Sequence, residues 1–204
     1  MLGSVLSFSP ELADRVSEYL LDVGTFTGFS ALAWHEGTRA TKAEIVTLDV
    51  GGETLNTTRK FFKDVGVDDR VTTVEGQAAS TLQKLEGEFD LIFLDADKQN
   101  NGLYLNIILE RRLLSPKGIV LLDNMFARGL TMGSEFNPHA DNARRPFWES
   151  MGKTLRTLND GFLEDPRIDT LLLPLFDGVT QIKWKDGYLE GATDGVAEAN
   201  GITK

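Results

Sequence analysis

Phe89-Asp90-Leu91-Ile92-Phe93-Leu94 runs into Asp95-Ala96-Asp97-Lys98, and Gly118-Ile119-Val120-Leu121-Leu122 runs into Asp123-Asn124. Each is a short apolar run stopped by polar turn residues, the pattern of a strand buried on both faces of a parallel sheet. Open α/β sheets bind ligands beyond the carboxyl ends of their strands. The two runs therefore set Asp95, Asp123 and Asn124 at the edge of a site. All three carry hard oxygen donors, the kind that Mg²⁺, Ca²⁺ or Mn²⁺ prefers.

Strand-like and helix-like segments alternate on either side of this pair. Residues 19–23, 44–48 and 70–74 read as strands, and residues 30–34 and 53–65 as helices. A short helix begins at Thr81, and a longer one spans 104–114. Pro116-Lys117-Gly118 reads as a turn before the fifth strand. Residues 127–142 are polar and contain glycine, which suits a long loop, and 146–158 suit a helix. Two apolar runs, 168–174 and 179–184, flank Leu175-Phe176-Asp177-Gly178, and Asp-Gly between such runs signals a hairpin. The order predicts one α/β domain over 1–204, with a mostly parallel sheet and an antiparallel C-terminal hairpin. Ser9-Pro10-Glu11 reads as a helix start, with Ser as N-cap and Pro at the first helical position. The tail after about 186, with Gly191, Gly195 and Gly201, reads as poorly ordered.

Composition narrows the function classes. The 204 residues carry a net charge of −10, which argues against nucleic acid as the main partner. No Cys is present, which excludes disulfides, thiolate zinc sites and cysteine nucleophiles together. The presence of only His35 and His139 argues against a His-rich metal site. No stretch is long and apolar enough for a membrane span, and no signal peptide is visible. The expectation is a soluble, intracellular, cytoplasmic protein.

A second constellation lies upstream, in Leu21-Asp22-Val23-Gly24-Thr25-Phe26-Thr27-Gly28-Phe29-Ser30. This is a strand, a glycine turn and a helix start. Glycine lets backbone approach a ligand closely, and a helix N-terminus favours negative groups. The Gly-x-x-x-Gly spacing is not the dinucleotide fingerprint, and no Gly-Lys-Ser/Thr of a P-loop follows. By itself the segment reads equally as an ordinary strand-to-helix turn. Asp49 ends the second strand 25 positions after Gly24, near the spacing at which a carboxylate meets ribose hydroxyls. An exposed turn-starting Asp remains the other reading. Gly76-Gln77-Ala78, after the third strand, suits contact with a base edge.

These segments, with Leu173-Pro174-Leu175-Phe176-Asp177-Gly178, resemble the cation-dependent O-methyltransferases, the group of the caffeoyl-CoA and catechol enzymes. The likeness runs from about Leu20 to Lys185, with the motifs in family order. It implies a class I, Rossmann-like S-adenosylmethionine methyltransferase fold with a seven-stranded sheet and helices on both faces. It also implies a divalent cation, foremost Mg²⁺, a vicinal-diol aromatic substrate of the catechol, flavonoid or hydroxycinnamoyl type, and a homodimer.

Residue by residue, the resemblance implies these roles. Asp22, in the family's usual Glu position, lies near the methionine part of the cofactor. Gly24 and Thr25 lie against it, and Ser30 meets its carboxylate. Asp49 holds the ribose, and Gln77 and Ala78 border the adenine. Asp95, Asp123 and Asn124 ligate the metal, with Asp95 also touching the cofactor. Lys98 is the general base. Asp97 reads as a cap of the following turn and stays outside the metal shell. Phe126, Arg128 and Trp148 are candidates for contact with a planar acceptor, or are core packing.

The chemistry is consistent with that set. Methyl transfer from a sulfonium is an in-line displacement in which the protein mainly aligns the partners. A cation lowers the pKa of a catechol hydroxyl. It also disfavours the ammonium form of a lysine beside it, so that lysine can take a proton. Two departures stand out: Asp22 is one methylene shorter than Glu, and only about twenty residues precede the first strand. The lid helices of the family are therefore expected to be short or missing. Two alternatives follow, a cofactor-binding but weakly active or inactive truncated form, and, on the sheet alone, an NAD(P)-dependent reductase.

Overall fold

The computed structural model describes residues 18–137 and 143–190. Seven strands, β1 (Tyr19–Val23), β2 (Glu44–Asp49), β3 (Val71–Glu75), β4 (Phe89–Leu94), β5 (Leu114–Leu122), β6 (Ile168–Leu173) and β7 (Val179–Trp184), form one sheet of order β3-β2-β1-β4-β5-β7-β6. β1 to β5 pair in parallel, while β7 is antiparallel to both β5 and β6. The described helices are α1 (Phe29–Gly37), α2 (Glu53–Val65), α3 (Ala78–Leu82), α4 (Asn101–Glu110) and α5 (Arg145–Glu164).

Strand alternation splits the core into two layers. On β4, Leu91 and Phe93 pack with Trp34 of α1 and Phe62 of α2. Ile92 and Leu94 face the opposite way, toward Leu82 of α3, Ile108 of α4 and Leu155 of α5. Helices therefore cover both faces, as the unbroken apolar runs require. Ile92 is fully buried, so Ile92→Ala is expected to cost about 2–5 kcal/mol.

Several expected boundaries shift. Pro116-Lys117-Gly118 lies inside β5 rather than before it. Phe89 pairs with Leu114 and Leu91 with Ile119, so β5 carries its extra residues as a bulge. The Phe89 N–H donates to the Leu113 carbonyl (2.7 Å), and the Trp184 indole donates to the Leu114 carbonyl (2.9 Å). Those long-range bonds hold the strand ahead of the proline, and pairing with β4 resumes beyond it at Leu91↔Ile119. The helix expected over 104–114 runs from Asn101 to Glu110, and Leu114 belongs to β5. The helix expected from Thr81 starts at Ala78. The helix start at Ser9 and the tail beyond Glu190 lie outside the described residues.

Candidate active site

The chain leaves β1 in one direction through β2 and β3, and in the other through β4 and β5. Between β1 and β4 lies the topological switch point, where open sheets bind ligands. A cleft of about 450 Å³, within the small-molecule range, opens there. It is lined by Gly24, Phe26, Leu48, Asp49, Val50, Gly76, Gln77, Ala78, Asp95, Asp97 and Tyr104, among others. Gly24 sits at φ 119°, and a Cβ there would come within 2.7 Å of the Asp95 carbonyl oxygen. Glycine is therefore required where the two halves of the sheet meet. Asp49 accepts a hydrogen bond from the Phe26 N–H at 2.7 Å through Oδ2, which fixes its carboxylate on the cleft wall.

Asp22, Thr25 and Ser30 form a group of their own. Asp22 is fully buried. Its Oδ2 accepts from the Ser30 hydroxyl (2.9 Å) and the Thr47 hydroxyl (2.8 Å). The Thr25 and Thr47 hydroxyls share a further bond at 2.6 Å; because Thr47 donates to Asp22, Thr25 donates to Thr47. Asp22 Oδ1 has no hydrogen-bond partner. Burial pushes the Asp22 carboxyl up to about 7, against the lowering pull of its two hydroxyl donors and with help from the charges of Asp95 and Asp49.

The second half of the site stands at the ends of β4 and β5. Leu94 and Leu122 are paired neighbours, so Asp95 and Asp123 leave the sheet side by side. Lys98 Nζ bonds Asp95 Oδ1 at 2.5 Å, with only 14% of its side chain exposed. Burial first, and the Asp95 charge second, push the Asp123 carboxyl above its ordinary range, while Lys98 pulls it back. Asn124 follows at φ 58°, and its N–H donates to Asp123 Oδ1 at 2.7 Å. Asp97 accepts from the Asn100 side-chain amide and the Tyr104 hydroxyl; its side chain makes no capping hydrogen bond to the turn that follows, so the expected cap is not seen.

This donor set suits a hard dication. It has two carboxylates and a carboxamide, and its acids repel one another. Among the described residues no three His, Cys, Asp or Glu side chains gather into a metal-holding group. Of the acceptor-side candidates, Arg128 lays its guanidinium over the Trp148 ring at 4.3 Å. Phe126 packs its ring against Gly178.

Sequence reasoning assigned no role to Phe26, Tyr104 or Asp177. Phe26 is 70% exposed at φ 45°, and its place inside the glycine turn was the available signal. Tyr104 reaches the cleft from α4 and is buried against Asp97, which together push its hydroxyl pKa upward. Asp177, in the β6–β7 loop, is half-buried. Its carboxyl is pushed upward by burial, opposed by the Arg128 N–H, and raised again by the Asp123 charge, which places it beside the same site. Among the described residues no helix is long and apolar enough to cross a membrane.

A family model described as O-methyltransferase matches residues 13–185. The chain is similar to the O-methyltransferase ankF of Aspergillus thermomutatus, with 37% identity over 175 residues, 85% of this chain and 73% of that protein. It is also similar to the probable caffeoyl-CoA O-methyltransferase 2 of Dictyostelium discoideum, with 30% identity over 167 residues, 79% of this chain and 67% of that protein. The crystal structure of the SAH-bound Podospora anserina methyltransferase PaMTH1 superposes with a TM-score of 0.85 at 50% identity, covering 91% of this chain and 78% of that one. Together with the seven-stranded sheet and its switch-point cleft, these likenesses establish that the chain belongs to the O-methyltransferase family.

Proposed function

We propose that this S-adenosylmethionine-dependent O-methyltransferase transfers its methyl group to one hydroxyl of a vicinal-diol aromatic, with a divalent cation, foremost Mg²⁺, held by Asp95, Asp123 and Asn124. The observation that carries this reading is the double position of Asp95. It lines the cofactor cleft and also stands beside Asp123 and Lys98. A methyl donor and a bound diol would thus share one wall.

The chain's own residues supply the rest. Asp49 offers its free carboxylate oxygen to ribose hydroxyls, and Gln77 and Ala78 border the base. The orphan Oδ1 of Asp22 suits an N–H donor such as the ammonium of the methionine part. Asp95 anchors the Lys98 ammonium next to the acceptor. Lys98 would be the group that takes the phenolic proton at Nζ and passes it toward solvent. When bound by Asp95, Asp123 and Asn124, a cation would supply charge stabilisation to the ionising hydroxyl. The relative named for caffeoyl-CoA supports an ortho-diol of the hydroxycinnamoyl kind.

The test is methyl transfer to catechol and to caffeoyl-CoA, with phenol as control, in Mg²⁺ and in EDTA. Product from the diols in Mg²⁺, and none in EDTA or from phenol, is expected. Equal rates in EDTA overturn the metal reading, and equal rates on phenol overturn the diol reading.

A further inference from the structure

The chain bends sharply as it leaves β5. Asn124, Ala127 and Arg128 all have positive φ, at 58°, 47° and 61°, a region disfavoured for residues with a Cβ. Such a segment keeps its shape only where its surroundings over-determine it. Here the surroundings are the loop between β6 and β7. The Asp177 carbonyl accepts the Phe126 N–H at 2.8 Å, and the Gly178 carbonyl accepts the Met125 N–H at 3.0 Å. Asp177 Oδ1 accepts the Arg128 N–H at 2.7 Å, across 49 positions of sequence. The fit is close: a Cβ on Gly178 would come within 2.7 Å of the Phe126 ring.

The hairpin does not need the Asp177 side chain for its own closure. β6 and β7 pair continuously from Ile168↔Trp184 to Leu173↔Val179, and Gly178 closes the loop through its N–H to the Leu175 carbonyl at 2.8 Å. The carboxylate points instead at the bend that carries Asn124. We propose that Asp177 is a positioning residue: by holding the 124–128 bend it fixes Asp123 and Asn124 in one arrangement as oxygen donors. The inference rests on the metal reading above. Asp177 is not itself a ligand in this account, because Oδ1 is taken by a backbone N–H and its task is to orient the neighbouring donors, as outer-shell partners do.

The test compares wild type, Asp177→Ala and Asp177→Asn. Two quantities are measured: Mn²⁺ affinity by electron paramagnetic resonance titration, and S-adenosylhomocysteine affinity by calorimetry. Asp177→Ala is expected to weaken Mn²⁺ binding roughly 10–100-fold. Asp177→Asn keeps an oxygen acceptor for the Arg128 N–H and is expected to recover most of that loss. Cofactor affinity is expected to stay constant across the three, since the cofactor cleft is built from other strands. Wild-type Mn²⁺ affinity in Asp177→Ala overturns the proposal. So does an Asp177→Asn variant as weak as Asp177→Ala, which would assign the effect to charge, and so does a parallel loss of cofactor affinity. A wild-type chain that binds S-adenosylhomocysteine but no Mn²⁺ would remove the metal reading, and this inference with it.

Discussion

Gly24, Asp49 and Gln77 on one side of the switch point, and Asp123, Asn124 and Asp177 on the other, all lie at strand ends of the same sheet, yet they are held differently. The β1–β2 part of the cofactor side is built from nearby pieces of chain. The Phe26–Asp49 and Thr25–Thr47 bonds span 23 and 22 positions, and Gly24 and Thr25 both donate N–H to the Leu48 carbonyl. The proposed metal side is bonded to a hairpin reached only after α5, and its bend carries three residues at positive φ. The β1–β2 part of the cleft is therefore held by contacts of short sequence separation, while its β4 wall joins β1 through pairs such as Leu20↔Leu91. In the proposed metal site, the geometry of the oxygen donors would depend on the C-terminal hairpin being docked.

The sharpest way to break this contrast is Asp123→Ala. Loss of the cation's contribution, several kcal/mol, lowers the rate on the order of a thousandfold. Calorimetry should find cofactor affinity unchanged, and a parallel collapse of both would merge the two sides into one unit. Lys98→Met should cost about a hundredfold in kcat, the low end for general-base loss. Its residual rate should rise with pH as the diol ionises unaided, whereas a pH-independent residual rate would remove Lys98 as the base.

Gly24→Ala probes the seam. Its Cβ would press on the Asp95 backbone, so it should weaken cofactor and Mn²⁺ together, each about tenfold, for a strain of roughly 1–2 kcal/mol. Loss of cofactor affinity alone would show that the seam transmits nothing.

The smallest effect concerns stability. The native Asp22 carboxyl, near 7, lies above its unfolded value of about 4. The native state then binds the extra proton, so stability present at pH 4 falls as pH rises toward 7 and levels off beyond. Asp22→Asn should flatten that slope and raise Tm by a few degrees at pH 8. An unchanged slope in melts from pH 4 to 8 would place the titration elsewhere.

This division also decided what could be read from sequence. The largely apolar runs of β1, β2 and β4 were legible nearly to the residue, because each ends at a polar or glycine turn. The boundaries of α2 were likewise legible, from Gly52 to Gly66, where both glycines take positive φ. β5 was misread at Pro116 because a local turn signal was overridden by its partners Phe89 and Trp184. The helix expected to end at 158 runs on to Glu164, where Phe162 finds a place in the core. Asp49 and Gln77 could be found as successive strand ends. Asp177 was visible only as half of an Asp-Gly turn, since its target lies 49 residues earlier and no local pattern encodes that pairing.

The most direct measurement is anomalous diffraction from crystals grown with S-adenosylhomocysteine and Mn²⁺. The account predicts one Mn²⁺ peak about 2.0–2.2 Å from oxygens of Asp95, Asp123 and Asn124, beside the bound cofactor. Cofactor bound with no peak there, or with the Mn²⁺ held by other residues, would contradict it.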